Sequence, residues 1–451
     1  MSKKRLLSGL ICLFLLHAPT ISLSANERDY AYYSLDNGLR VMLLPQDRLP
    51  LVHIALAVAS GAADDAEDEC GLAHLLEHVL LFRGREGRNI SELRRAGAVF
   101  NGHTGFDTSN FEISLPAEEL DFALETMRRM VFTEIDLHAE DLEREKEVIA
   151  KEILRAEQEP YTTGINLVYR EYFKGHSYGR PLAGKMDSLA AIDAERLRLV
   201  HRQRFRAANS ALVVVGDLDL QKTSARVKEV FSALPAIEFI EKEKRDENWR
   251  RPVRQVVNTV EMDLSQAYLF LAYPAPAYND RRQPLFSLLT QVIGQGVKPM
   301  LLPALHGRRM LARNLASSYH VLADAGLLVI ALTLDAKRIP AAIRAVDGFM
   351  RSLQQQYFSP TDYPDENRIY AFDYLEGARN QILMNVLQSR ERGVRLARSL
   401  ASHLLLAHEE RDDFIEILEK AGSSQLRRAA AEFLSRSAPV VVALVPGKSQ
   451  P

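Results

Sequence analysis

Cysteine is almost absent from this chain of 451 residues, which contains only Cys12 and Cys70. Cys12 lies in an N-terminal stretch that we expect to be removed, so the mature chain keeps a single cysteine. One cysteine cannot form a disulfide within the chain. The fold is therefore expected to lack intrachain disulfides, even in an oxidising compartment.

An excess of charge of either sign is also lacking. The chain has 57 lysine and arginine residues against 59 aspartate and glutamate residues, and its pI is near 6.7. No basic excess is available to neutralise phosphates, which excludes nucleic acid as the main partner. Hydrophobic residues (47%) and charged residues (26%) occur as in an ordinary soluble globular protein, and the length indicates two or more domains.

Beyond its N-terminus the chain lacks an apolar run long enough to span a membrane. Residues 1–25 are organised like a secretory signal peptide: Lys3, Lys4 and Arg5 precede the apolar stretch 6–16, and small residues lead up to Ala25. The alternative is that this stretch is retained as an anchor. We predict an exported bacterial protein, periplasmic or secreted, with no integral membrane span once the signal is cleaved.

Strand and helix patterns alternate along the chain and predict an α+β fold. The turn sequence 36–38 joins two strand patterns, and residues 205–215, a helix end followed by a buried strand, are echoed at 433–442. A charged stretch separates the two halves. We therefore predict a signal peptide at 1–25, an N-terminal half at 26–237, a linker at 238–256 and a C-terminal half of similar design at 257–447.

The most informative residues are His74, Glu77 and His78, which form the pattern His-x-x-Glu-His. Histidines four positions apart on a helix lie on one face, at the spacing that two zinc ligands need. Glu77 lies at the rim of that face, where it can hold a water molecule without binding the metal. The surrounding residues 71–82 are otherwise apolar, and burying all three side chains there without a cation would be costly. The pattern indicates metal-assisted peptide hydrolysis.

A catalytic zinc ion takes three protein ligands, so a third must come from elsewhere in the chain. Glu145 and Glu152 are two helical turns apart on a predicted helix at 138–158, so both point the same way. One could bind the metal while the other contacts a ligand histidine. The alternative is a surface helix with glutamate–lysine pairs. Cys70, four residues before His74, is either a ligand or a small buried thiol.

Several ordered motifs resemble those of the pitrilysin/insulinase family of zinc metallopeptidases, and the resemblance runs through most of the mature chain. The motifs are the opening hairpin at 36–41, the zinc helix at 71–78, a glutamate segment at 145–152, a characteristic loop at 176–184, the strand at 209–217, and the inactive-type second half around 266–274 and 294–296. The fold that the resemblance implies is two homologous α/β-sandwich halves, which together make half of a clamshell.

The resemblance also implies the role of each site residue. It makes His74, His78 and Glu152 the ligands of one zinc ion per chain, and it makes Glu145 a support for a ligand histidine. Glu77 becomes the general base that takes a proton from the attacking water.

Substrate contacts follow from the same resemblance. Residues 100–111 resemble the family strand beside the zinc helix, whose edge pairs with an extended peptide in relatives. Asn101 is the position that we assign to substrate contact, whereas His103 is either a second contact or an exposed bystander. Many relatives carry an arginine and a tyrosine seven residues apart in the second half. His306 and Arg313 stand there instead, so the sequence leaves open whether the second half completes the site.

The function expected from these residues is that of an exported zinc endopeptidase that cleaves peptides or unfolded polypeptides. The resemblance implies a partner, either a second copy of this chain or a related chain without the zinc motif. The alternative function is that of a catalytically silent assembly or binding subunit with the same fold. The intact set of His74, Glu77, His78 and Glu152 disfavours that alternative.

Overall fold

The computed structural model of the chain describes residues 30–46, 48–83, 88–236, 255–296, 298–306, 310–362, 373–407, 414–434 and 438–447. The predicted signal peptide and nearly all of the predicted linker lie outside these ranges. The boundaries at 237 and 257 therefore stay predictions, although the first strand of the second half begins at Val256. No helix within the described residues is both long enough and apolar enough to cross a membrane.

The first half is built on a six-stranded sheet with the order β1-β2-β6-β3-β5-β4, in which β4 is an edge strand. The predicted turn at 36–38 connects β1 to β2 as an antiparallel hairpin. Strand β6 is buried along its whole length and pairs in parallel with β2. The strands are β1 (Ala31–Ser34), β2 (Arg40–Pro45), β3 (Leu51–Val58), β4 (Val99–Thr104), β5 (Ser109–Pro116) and β6 (Ser210–Gly216).

Eight α-helices belong to the described part of this half. They are α1 (Leu72–His78), α2 (Arg88–Arg95), α3 (Leu120–Phe132), α4 (Ala139–Gln158), α5 (Pro160–Tyr172), α6 (Met186–Ala191), α7 (Ala194–Arg204) and α8 (Leu220–Phe231). A single π-helical turn, Val79–Arg83, follows α1 directly. Turns of this kind recur at functional sites in proteins.

The second half contains a five-stranded sheet with the order β7-β11-β8-β10-β9. Its strands are β7 (Val256–Met262), β8 (Ala267–Ala275), β9 (Asn314–Val321), β10 (Gly326–Leu334) and β11 (Val440–Pro446). Its helices are α9 (Gln283–Gly294), α10 (Leu302–His306), α11 (Ile339–Ser352), α12 (Tyr374–Arg390), α13 (Gly393–Leu406), α14 (Phe414–Lys420) and α15 (Ser423–Phe433).

The two sheets repeat one design, which confirms the predicted fold class. In each sheet the last strand of the half, β6 or β11, pairs in parallel with one neighbour and antiparallel with the other. These are the strands that end the repeated stretches 205–215 and 433–442. The order β2-β6-β3-β5-β4 matches β7-β11-β8-β10-β9 strand for strand, with β1 as an addition in the first half.

Each half covers one face of the other half's sheet. Alternate residues of β2, β3 and β6 point to opposite faces: Leu43, Ile54 and Val214 pack with first-half helices, whereas Leu44 and Val215 join the core of the second half. Helix α13 of the second half lies on that second face. In return, α5 of the first half packs on the other sheet against β8 and β11. The halves therefore share their hydrophobic interior.

Candidate metal centre

Helix α1 carries His74, Glu77 and His78. A glycine with positive φ and a buried capping carboxylate define where this helix begins. Gly71 precedes the helix with φ +104°, a left-handed conformation that favours glycine. The buried carboxylate of Asp65 accepts hydrogen bonds from the backbone N–H groups of Gly71 and Ala73, both at 3.2 Å. A carboxylate at this end satisfies amides that have no partner within a helix and opposes the positive end of its dipole.

The two imidazoles converge with the carboxylate of Glu152, which α4 supplies from the other side. The Nε2 atoms of His74 and His78 lie 3.5 and 3.7 Å from Oε2 of Glu152. One ligand atom from each residue lies within 4.8 Å of the others. Tetrahedral zinc with bonds of about 2.0 to 2.2 Å has its ligand atoms roughly 3.4 Å apart. The donor set of two nitrogens and one oxygen, and its spacing, therefore fit a zinc ion.

The other ring nitrogens are held by acceptors outside this group. Nδ1 of His74 lies 3.3 Å from the carbonyl oxygen of Ala183, and Nδ1 of His78 lies 3.1 Å from Oε2 of Glu145. Because both partners are acceptors, each Nδ1 carries the proton and each Nε2 presents a lone pair to the centre of the group. That tautomer is the one that a metal-binding histidine needs.

The surroundings move the pKa values of the two histidines in opposite directions. Burial lowers the pKa of His74, and the neighbouring His78 also lowers it, although the charge of Glu77 opposes both effects. Burial also acts to lower the pKa of His78, but the hydrogen bond to Glu145 and the charge of Glu152 outweigh it, so the net pKa is raised.

Glu77 is buried beside the metal group and is held by strand β4. Its side chain lies against Gly102, where an added Cβ would be only 2.7 Å from Oε1 of Glu77. The hydroxyl of Thr104 donates a hydrogen bond of 2.5 Å to Oε2 of Glu77. Neither Gly102 nor Thr104 was assigned a role from the sequence. The spacing of two on an edge strand, which puts both on the face toward α1, is the signal that could have identified them.

Asn101 and His103 lie on β4, where side chains alternate between the two faces of the sheet. Gly102 and Thr104 face Glu77, so the alternation places Asn101 and His103 on the opposite face, and both are exposed. Asn101 pairs with Glu112 across the β4–β5 ladder. The structure thus brings the β4 backbone to the metal group but turns the Asn101 side chain away from Glu77.

Cys70 does not belong to the metal group. The thiol is buried and donates a hydrogen bond of 3.2 Å to the carbonyl oxygen of Glu67. Burial raises its pKa, which keeps it a neutral thiol. His306 ends α10 and Arg313 precedes β9, both in the second half, and neither is among the three ligand side chains that the described chain brings together here.

The loop that holds His74 reaches α1 through two facing glycines. A Cβ on Gly184 would lie 2.6 Å from the Cα of Gly71, and Gly184 itself has φ +101°. We expect Gly184→Ala to lower the free energy of unfolding by about 2 to 3 kcal/mol through clash and backbone strain. Denaturant titration of the metal-free protein measures this effect.

Gly175→Ala is the matched control for that substitution. Gly175 also has a positive φ, +82°, but nothing lies within 4 Å of an added Cβ. Backbone strain alone should therefore lower the free energy of unfolding of Gly175→Ala, by about 1 kcal/mol. Equal losses for the two variants would show that the close approach of Gly184 to Gly71 contributes nothing.

Comparisons with known proteins identify a matching family. The family profile described as "Insulinase (Peptidase family M16)" matches residues 41–186, and the profile described as "Peptidase M16 inactive domain" matches residues 191–366. The first range contains all the residues of the metal group, and the second contains the strands β7 to β10. Curated relatives of the chain are named zinc proteases.

One such relative is the zinc protease PqqE of Helicobacter pylori, 25% identical over 304 residues, which are 64% of this chain and 67% of that one. Among solved structures, a protease from Helicobacter pylori superposes with a TM-score of 0.77 at 19% identity, covering 93% of this chain and 100% of that one. The periplasmic protease PqqL from Escherichia coli superposes with a TM-score of 0.72 at 20% identity, covering 94% of this chain and 48% of that one. These structural likenesses show the fold.

Proposed function

Because the chain belongs to the M16 (insulinase) family of peptidases, we propose that it is a zinc-dependent endopeptidase that cleaves peptides or unfolded polypeptides. The observation that carries this proposal is the convergence of two Nε2 atoms and one carboxylate oxygen, with a fourth side chain, Glu77, buried next to them. Three protein ligands with a free fourth position are typical of catalytic zinc sites, and an adjacent carboxylate can exchange a proton with the attacking water.

In this proposal His74, His78 and Glu152 hold the zinc ion, and Glu145 fixes the His78 ring through its Nδ1 proton. When bound, a zinc ion would supply Lewis acidity, which polarises a peptide carbonyl and lowers the pKa of a water molecule toward about 7.

Glu77 is the proposed proton carrier of the reaction. Its carboxylate accepts a proton from the water that attacks the scissile carbonyl, and it returns that proton to the leaving amine nitrogen as the C–N bond breaks. Thr104 occupies one carboxylate oxygen, Oε2, as a hydrogen-bond donor, which leaves Oε1 to exchange the proton. Gly102 provides the space in which the Glu77 side chain lies.

The edge strand β4 is the proposed place where the peptide substrate lies. No described strand pairs with its outer edge, and the backbone from 99 to 104 passes directly over Glu77. An extended peptide can add to such an edge through main-chain hydrogen bonds, which bind without requiring one sequence. Asn101 is proposed to contact the substrate from the face turned away from Glu77.

We further propose that the protein is exported from the cytoplasm. We also propose that it works as one of two units that face each other. The chain spans about half the length of PqqL, whose printed description is a periplasmic protease. A second copy, or a related chain without the zinc motif, would supply the facing unit. Export rests on the signal-peptide pattern at 1–25.

Metal removal tests the proposed function. We expect the purified protein to contain about one zinc ion per chain, to lose peptide cleavage on treatment with a chelator, and to regain it when zinc is restored. Zinc content is measured by elemental analysis and cleavage with an unfolded polypeptide. Zinc-loaded protein that cleaves no peptide would favour the silent-subunit alternative, and protein that takes up no zinc would overturn the metal centre itself.

A further inference from the structure

The loop at 176–184 has a feature that the proposed chemistry does not use: one of its ends contacts the second half and the other contacts His74. Its first end contains Tyr178, which is fully buried in a cluster that includes Leu322 and Leu327 of the second half. Its other end contains Ala183, whose carbonyl oxygen accepts the Nδ1 proton of His74. Only five positions separate the two contacts.

The Tyr178 end is bound to the turn between β9 and β10. The phenol donates a hydrogen bond of 2.7 Å to Oδ1 of Asp107. The other oxygen of Asp107 accepts the N–H of Ala323 at 3.0 Å, and the N–H of Asp324 lies 3.3 Å from the phenol oxygen. Oδ2 of Asp324 lies 3.3 Å from the same phenol oxygen. One hydroxyl and one carboxylate thus join the loop, the β4–β5 turn and the second half.

The span between the two ends is held at further points. Arg180 donates a hydrogen bond of 3.0 Å to the carbonyl oxygen of Ala63. The backbone N–H of Lys185 donates to the carbonyl oxygen of Cys70 at 3.2 Å, and Gly184 lies against Gly71. Because only five positions separate the two ends, we expect a displacement at Tyr178 to reach Ala183 despite these contacts.

We propose that Tyr178 is a positioning residue through which the second half fixes the orientation of the His74 ring. The inference rests on the proposed function, because it assigns His74 as a metal ligand. It gives the half without a metal motif a direct part in building the site. The bond between His74 and Ala183 is 3.3 Å long, near the limit for a hydrogen bond, so a small shift of the loop is enough to break it.

Tyr178→Phe in the full chain tests the proposal. The substitution keeps the ring and its packing, and removes the hydroxyl that joins Asp107 to the loop. We expect the 15N chemical shifts of the His74 ring in the metal-free protein to move from a single tautomer, protonated at Nδ1, to a mixture of two. We also expect the Kd for zinc, measured by competition with a chelator, to rise about 10-fold. This is the lower end of the loss in metal affinity seen when a group that hydrogen-bonds to a metal ligand is removed.

Tyr278→Phe is the matched control. Tyr278 is also buried, and its backbone N–H bonds to Leu322 in the same turn, but its hydroxyl contacts His403, 2.8 Å away in the second half. This variant should lose stability without changing the His74 spectrum or the zinc Kd. Asp107→Asn should act like Tyr178→Phe. The double variant should raise the zinc Kd by less than the product of the two separate fold-changes, because both substitutions break one hydrogen-bond network.

An unchanged His74 spectrum in Tyr178→Phe would overturn the proposal, as would an equal change in Tyr278→Phe. The spectrum is recorded without metal, so this result is independent of catalysis. A wild-type protein that binds zinc yet cleaves no peptide would defeat the proposed function and leave the positioning role of Tyr178 standing.

Discussion

We expect Glu77→Gln to retain zinc and to lose peptide cleavage by about 10²- to 10⁴-fold, the range for removal of a general base. Gln has nearly the shape of Glu, and its amide oxygen can still accept the Thr104 hydroxyl, so the buried position beside Gly102 is preserved. The amide cannot take a proton from water at neutral pH. The loss should therefore appear in kcat, with little change in KM for the peptide.

Two measurements support that experiment. Zinc content of the Glu77→Gln protein should equal that of the wild type, because the Glu77 carboxylate is not one of the three converging ligands. Glu67→Gln, which alters an exposed carboxylate in the turn before α1, should leave both zinc and activity unchanged. Cleavage by Glu77→Gln at the wild-type rate would disprove the role that we assign to this residue.

We expect Glu152→Gln to weaken zinc binding by at least about 100-fold, since losing a residue that only hydrogen-bonds to a ligand already costs about 10- to 100-fold. The neutral amide replaces the only anionic member of the ligand group. The Glu152 side chain is 49% exposed, so the metal-free protein should keep its stability to within about 0.5 kcal/mol. The contrast between a lost metal and an intact fold is the expected signature of a ligand on the surface of α4.

Glu147→Gln on the same helix is the comparison for that variant. Glu147 is exposed and lies five residues before Glu152, on a different face of α4. The zinc Kd of this control should match that of the wild type. If Glu152→Gln also binds zinc with the wild-type Kd, then the third ligand is another residue, and the assignment of α4 to the metal group is wrong.

The sequence predicted the features of this fold and site that depend on spacing along the chain. The hairpin at 36–38 and the strand at 51–58 follow from turn residues and apolar runs, and both are present. The spacing of four between His74 and His78, and of seven between Glu145 and Glu152, fixes which side chains share a helix face. The structure places Glu145 and Glu152 on either side of the His78 ring, as those spacings and the family resemblance implied.

The parts that the sequence did not predict depend on contacts between distant segments. Nothing in the local pattern around Ala183 indicates that its carbonyl oxygen holds His74, 109 residues away. The contact of Thr104 with Glu77 likewise depends on how β4 passes over α1. Asp65 looks like one of several acidic residues before the zinc helix, yet it alone is turned inward to cap that helix. Backbone acceptors and caps of this kind leave little trace in composition or periodicity.

The exchange of α5 and α13 between the two sheets has a consequence for how the molecule comes into being. The inward face of the first-half sheet, with Leu44, Ala55 and Val215, packs into a cluster that consists mostly of second-half residues. During synthesis, the N-terminal half would therefore expose a large hydrophobic face until the C-terminal half has been made. We therefore expect neither half to fold stably without the other.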